Sequence, residues 1–209
     1  MKIGYFITAC NEINELTKLL LLLKTNITDD DVIGIILDED NYTEDVKTLC
    51  ETFLLPNNQI RMSYASLNKD FATYKNNGFK LLHDCDWIFQ IDADELPSTV
   101  LMNNIREIIR LNPKVELIYV TRINTVEGLT AEHVLKWRWQ VNEDGWVNWP
   151  DYQGRIYKRS DNIKWTGKVH EQITGVKYLS HLPPTEELAL HHPKTIDRQE
   201  KQNELYETI

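Results

Sequence analysis

Apolar residues along this chain fall in short continuous runs, each closed by polar residues and each followed by a stretch with helical spacing. Lys2 to Ala9 is the first run. Its continuity, rather than alternation, predicts a parallel strand buried on both faces. Leu16 to Leu23 supply the helix that follows. Asp31 to Leu37 repeats the strand, Thr43 to Phe53 the helix, and Gln59 to Tyr64 gives a third, shorter strand. Asp70 to Leu82 carries Phe71, Tyr74, Phe79 and Leu82 at spacings that predict a helix packed under the next strand. That strand, Trp87 to Ile91, is apolar except for Gln90. Pro97 then precedes a helix over Thr99 to Leu111, which Asn112-Pro113 ends, and Glu116 to Ile123 forms another strand. Strand–helix–strand alternation of this kind predicts an α/β fold whose mostly parallel sheet is flanked by helices and joined by right-handed crossovers.

The polar residues that close these strands gather where open α/β sheets bind ligands, at the carboxyl edge. Thr8, Asn11 and Glu12 follow the first strand and Asp38 the second. Helix capping by Asn11, Asn14 or Asp38 competes with a ligand role at these positions. The most informative stretch is Asp92-Ala93-Asp94-Glu95, directly after the apolar strand. Side chains alternate along a strand, so Asp92 and Asp94 share one side while Ala93 points to the other. Two adjacent carboxylates repel, and a hard divalent cation carrying phosphate oxygens relieves that repulsion. Capping of the next helix by Asp94 or Ser98 accounts for one acid but not for two at this spacing. Lys75, on the preceding helix, reads either as a phosphate partner or as part of a solvated face.

After residue 125 the texture changes. Trp137, Trp139, Trp146, Trp149 and Trp165 fall close together, and Lys136-Trp137-Arg138-Trp139 alternates charge and indole, as on a strand with one aromatic face. Indoles and guanidinium planes stack on sugars or nucleobases, which makes Trp137, Arg138 and Trp139, with Arg155, the candidate acceptor site. Filling of an antiparallel hairpin core is the competing role for each tryptophan.

Composition narrows the reading. With 209 residues, 42% hydrophobic and 26% charged, the chain is expected to form one soluble domain, residues 1–209, with no linker dividing it. Leu19 to Leu23 is far too short to span a bilayer, and no secretory signal follows Met1, so a cytoplasmic location is expected. A net charge of −9 disfavours broad attraction to nucleic acid or anionic membranes. Cys10, Cys50 and Cys85 lack metal-ligand spacing and read as reduced thiols.

Together these residues resemble the family-2 glycosyltransferases of the GT-A fold, in a small bacterial or phage form. The resemblance is carried by Ile7-Thr8-Ala9-Cys10-Asn11-Glu12, Asn68-Lys69-Asp70-Phe71, Lys75-Asn76-Asn77-Gly78 and Ile91-Asp92-Ala93-Asp94-Glu95. Farther on it returns at Arg155-Ile156-Tyr157-Lys158-Arg159, Trp165-Thr166-Gly167-Lys168-Val169-His170-Glu171 and His191-His192-Pro193-Lys194. It implies a nucleotide-sugar part over 1–125 and an acceptor-side part with a C-terminal helix over 126–209. Thr8, Asn11, Glu12, Asp38, Lys75, Asp92 and Ala93 would then line the nucleotide-sugar site. Asp94, with His192 or His191, would hold Mn²⁺ or Mg²⁺. Glu171, with Asp151 in reserve, would be the base of an inverting transfer from a UDP-sugar. The acceptor implied is a saccharide or lipid-linked saccharide; a hydroxylated base in phage DNA would instead require a basic track of Lys136, Arg138, Arg155 and Lys158. A nucleotidyltransferase is disfavoured because Ala9-Cys10-Asn11-Glu12 lacks a Gly-rich, basic loop. A sugar- or nucleotide-binding module without turnover is the non-enzymatic alternative.

Overall fold

The computed structural model describes residues 1–54 and 59–207, with side chains through 204. Its first half follows the hydrophobic pattern. Strands β1 (Ile3–Ala9), β2 (Val32–Asp38), β3 (Ile60–Ala65) and β4 (Trp87–Asp92) alternate with helices α1 (Ile13–Asn26), α2 (Glu44–Leu54) and α3 (Phe71–Gly78). β5 (Leu96–Pro97), α4 (Thr99–Leu111), β6 (Leu117–Glu127) and α5 (Ala131–Trp137) come next. They are followed by β7 (Val147–Lys158), β8 (Lys164–Thr166), β9 (Gln172–Thr174), β10 (Leu179–His181), β11 (Leu190–Thr195) and α6 (Ile196–Glu207).

Among the described residues one mixed sheet runs β3-β2-β1-β4-β7-β6-β11-β5, and β10 also pairs with β6. The β3 to β4 section is parallel, as the continuous apolar runs predicted. β7 is antiparallel to both of its neighbours, while β10 and β11 lie parallel to β6. A separate antiparallel ribbon, β8–β9, packs on one face. Two apolar layers enclose the sheet. Ile3, Tyr5, Ile7, Phe89 and Ile91 meet α1 and α4 on one side; Phe6, Ile88 and Tyr157 meet α3 and the ribbon residues Trp165 and Ile173 on the other. Gln90, which interrupts the apolar strand, is fully buried and donates from Nε2 to Asp92 Oδ1 at 3.3 Å.

Helix boundaries refine the sequence reading. Ser98 caps α4, its side chain accepting from the Leu101 amide at 3.0 Å. The stretch expected as one helix over Asp70 to Leu82 is α3, capped by Asp70, followed by a 3₁₀ turn from Phe79 to Leu82. α3 lies so close to the sheet that a Cβ on Gly78 would stand 1.9 Å from the Phe6 ring. Gly78→Ala is therefore expected to cost about 3 kcal/mol, the upper part of the range for overpacking a core. A denaturant titration should show the lower midpoint with an unchanged slope.

Candidate active site

The parallel register aligns the strand ends that carry polar residues. Thr8 and Asp92 are neighbours across β1 and β4, and a cleft of about 920 Å³ opens at this edge. Thr8, Asn11, Glu12, Asp38, Lys75, Asp92, Ala93, Asp94, Glu171 and His192, expected from widely separated parts of the chain, all line it. Ala93 turns its face into the core, at 3% exposure, and its amide donates to the Thr8 carbonyl.

Asp92 is the hub. Its Oδ1 accepts from Thr8 Oγ1 at 2.9 Å and lies 3.3 Å from Lys75 Nζ; its Oδ2 lies 2.8 Å from Arg155 Nη2. Arg155 reaches it from a register break. Ile118 pairs with Ile156 and Tyr119 with Gly154, so Arg155 has no partner across the β6–β7 ladder. A break of this kind re-aims the side chain at the extra position. Burial alone would raise the Asp92 carboxyl, but Arg155, then Lys75 and the Thr8 hydroxyl, outweigh it and hold the group well below the usual carboxylate range. Arg155 also pairs with buried Glu95, which Arg122 approaches at 3.3 Å.

Lys75 does not lie on a solvated face. It is 4% exposed, 2.8 Å from Glu171 Oε1, and its ammonium sits 4.6 Å from the centre of the Trp165 ring. It thereby links Asp92 at the end of β4 to the loop that carries Glu171.

Asp94 and His192 form the second centre, and a chain of hydrogen bonds fixes the imidazole. Asp151 can only accept, so the 2.8 Å contact from Asn124 Nδ2 sets the orientation of that amide. Asn124 Oδ1 then accepts from His192 Nδ1 at 2.7 Å, leaving Nε2 to face Asp94 Oδ2 at 3.2 Å. Burial lowers the His192 pKa against the raising effect of Asp94 and its hydrogen bond. Burial would raise Asp94, but His192 and Lys194 override it and keep the carboxyl well below its ordinary value. A carboxylate and an imidazole, both ligand types for a divalent cation, thus stand 3.2 Å apart in the cleft. Among the described residues no group of three or more His, Cys, Asp or Glu side chains is arranged to hold a metal alone. The donor set therefore fits a hard ion completed by phosphate oxygens and water.

At the β1 end, Glu12 Oε2 accepts from the amides of Cys10 and Asn11 at 2.7 and 2.9 Å. Glu12, not Asn11 or Asn14, occupies the cap position of α1. Arg198 of α6 reaches Glu12 at 3.1 Å, Glu15 at 3.2 Å and Asp94 at 3.5 Å, tying the C-terminal helix to this edge. Asp38 accepts from the Leu67 amide and from Asn41 Nδ2, so it closes two loops while lining the cleft. Burial pushes the Cys10 thiol up to about 12, which removes it as a nucleophile; all three cysteines are free thiols.

Several expected residues are placed elsewhere. Lys136 and Trp137 end a helix rather than forming a strand, because Thr130 and His133 make a capping box that starts α5. Arg138 then takes a left-handed conformation, φ 55°, and the Trp137 ring stacks on His133 and meets Trp139. None of Trp137, Arg138 or Trp139 lines the cleft. Arg155 lines it but is 3% exposed and committed to Asp92 and Glu95, so it supports the floor instead of meeting an acceptor. Asp151 is hydrogen-bonded to Arg122, Asn124 and Gln153 and does not line the cleft. His191 alternates away from His192, paired beside Ile123 and Leu96 outside the cleft.

Sequence reasoning did not single out Arg122 or Asn124, and it gave Glu95 no role of its own. Arg122 carried a usable signal, since a charge inside the strand Leu117-Ile118-Tyr119-Val120-Thr121-Arg122-Ile123 must be paired when buried.

The fold and cleft define a GT-A-like α/β protein with a carboxylate-lined site at the carboxyl edge of its sheet. The chain matches no family model and no curated protein. It is similar in fold to S. aureus TarS, with a TM-score of 0.62 and 12% identity over 92% of this chain and 37% of that one. TarS 1-349 in complex with UDP-GlcNAc gives 0.59 and 11% over 93% of this chain and 59% of the other. The corresponding UDP complex gives 0.60 and 10% over 92% and 60%. The chain thus spans from 37% to 60% of the length of these proteins. Among the described residues no helix is long and apolar enough to cross a membrane.

Proposed function

We propose that this protein is a metal-dependent glycosyltransferase that moves a sugar from a nucleoside diphosphate sugar, a UDP-sugar, to an acceptor hydroxyl with inversion. The reading is carried by one observation: Asp92, Asp94, His192, Lys75 and Glu171 converge in one cleft. The shared fold with a protein crystallised with UDP-GlcNAc and with UDP supports the choice of donor. Asp94 and His192 would hold Mn²⁺ or Mg²⁺, which supplies charge neutralisation for the departing diphosphate.

In the reaction, Glu171 takes the proton from the acceptor hydroxyl as its oxygen bonds to the anomeric carbon. The bond from that carbon to the diphosphate oxygen breaks, and the nucleoside diphosphate leaves with the electron pair. Lys75, beside both Asp92 and Glu171, orients the base and adds positive charge near the donor. A hydroxylated DNA base is less well served as acceptor. Lys136, Arg138 and Lys158 do not line the cleft, and Arg155 is consumed by ion pairs.

Glu171→Gln tests the base directly. Donor binding by calorimetry should persist while kcat for transfer falls by about 10²- to 10⁴-fold, the usual contribution of a positioned base. Wild-type kcat in this variant would remove Glu171 from the mechanism. The imidazole relay is tested by Asn124→Leu, which should weaken Mn²⁺ binding about 10- to 100-fold, read by electron paramagnetic resonance without substrate turnover.

A further inference from the structure

One cation beside Asp94 has no part in the proposed transfer. Arg198, in the first turn of α6, places Nη2 3.1 Å from Glu12 Oε1 and 3.5 Å from Asp94 Oδ2, and Nη1 3.2 Å from Glu15 Oε1. The other oxygen of Glu12 accepts from the amides of Cys10 and Asn11, so Arg198 covers the one that remains. Asp94 Oδ2 is also the atom that His192 Nε2 approaches at 3.2 Å and Lys194 Nζ at 3.9 Å. Burial raises the Glu12 carboxyl and the charge of Asp94 adds to it, while Arg198 opposes both. A single guanidinium thus holds together acids from the start of α1 and from the end of β4.

The helix that carries Arg198 is docked by polar contacts. None of the α6 residues with a described side chain is buried. Gln202 accepts from Lys194 Nζ at 2.5 Å, and Glu200 lies 3.8 Å from His133 Nε2 of α5. A helix with so little apolar burial opens at low cost once its polar ties are cut.

A guanidinium 3.5 Å from Asp94 Oδ2 and a divalent cation bound at that carboxylate are like charges competing for one partner. We infer that Arg198 and the cation exclude each other at Asp94, so that α6 is a latch which cation binding releases. The inference rests on the cation site proposed at Asp94 and His192 and adds a coupled element to it. Coupling of this kind is reciprocal: the factor by which the cation weakens α6 docking is the factor by which docking weakens cation affinity. An arginine that only clamps the helix would behave differently, since its loss would loosen α6 and leave cation affinity unchanged.

The test reads metal binding and helix protection, so it does not require turnover. Mn²⁺ is titrated into the full chain and followed by electron paramagnetic resonance. Arg198→Gln should bind Mn²⁺ about tenfold more tightly than the wild type, a factor typical of coupled sites. Lys18→Gln removes an exposed positive charge that lines a neighbouring cleft with Glu15 and Arg198, and it should leave the affinity within about twofold. The second measurement needs no variant. Saturating Mg²⁺ should speed hydrogen exchange of the wild-type α6 amides about fivefold or more, and Asp94→Asn should abolish that response. The latch is overturned if Arg198→Gln binds Mn²⁺ no more tightly than the wild type, if Lys18→Gln tightens binding equally, or if α6 exchanges at one rate with and without Mg²⁺. A wild type that binds no Mn²⁺ would remove the cation site and the latch together, whereas equal binding by wild type and Arg198→Gln removes the latch alone. Tighter binding in the variant, with no nucleotide-sugar turned over, would sink the transferase reading and leave the latch standing.

Discussion

Asp94→Ala is expected to lower metal-dependent turnover by about 10³-fold, because losing a ligand of the cation that would neutralise the departing diphosphate removes several kcal/mol of barrier lowering and each 1.36 kcal/mol is tenfold in rate. The expectation rests on place. Asp94 stands 3.2 Å from Nε2 of His192 in the cleft, held ionised against its own burial. Asp94→Asn separates charge from shape, since it keeps the size and a hydrogen-bonding group while removing the anion. Both variants should lose Mn²⁺ binding as well as turnover. Turnover that survived either change at wild-type metal dependence would assign the cation to other residues.

Arg155→Met is expected to be the most destabilising change in the site, by about 3–5 kcal/mol, because it leaves buried Glu95 and half-buried Asp92 short of a partner. Asp92 would retain Lys75 and Thr8, and Glu95 would retain Arg122 at 3.3 Å. In a chain of this length a loss of that size lowers the melting temperature by roughly 10 °C. The effect has a pH signature. Asp92 has a depressed carboxyl in the folded state, so its stabilisation is complete above the unfolded value of about 3.9. It fades as pH falls through the folded value. The gap in melting temperature between wild type and variant should therefore be full near neutrality and narrow below about pH 4. A gap that stayed constant into acid would mean that Arg155 acts through packing alone.

The parts of the fold legible in the sequence are those fixed by local pattern. β1, β2 and β4 lie in the interior of the sheet with both faces covered, and so were written as continuous apolar runs. The paired carboxylates could be read because Asp92 and Asp94 close such a run. The segment from Lys136 to Trp139 could not, since four alternating residues fit equally the last turn of a helix followed by a left-handed residue. The deciding signal, Thr130 with His133, lay a turn earlier. Arg155 was read as an acceptor contact because its burial depends on a register break in β7 and on acids 60 and 63 residues away.

The central claim is that this cleft binds a nucleoside diphosphate sugar through a divalent cation and activates its anomeric carbon. The most direct measurement is release of nucleoside diphosphate from a panel of nucleotide-sugars, with Mn²⁺ and again with chelator. Slow hydrolysis of one donor, lost with chelator and in Asp94→Ala, is the expected result. Absence of both hydrolysis and metal-dependent binding for every donor would contradict the account and leave a fold without this chemistry.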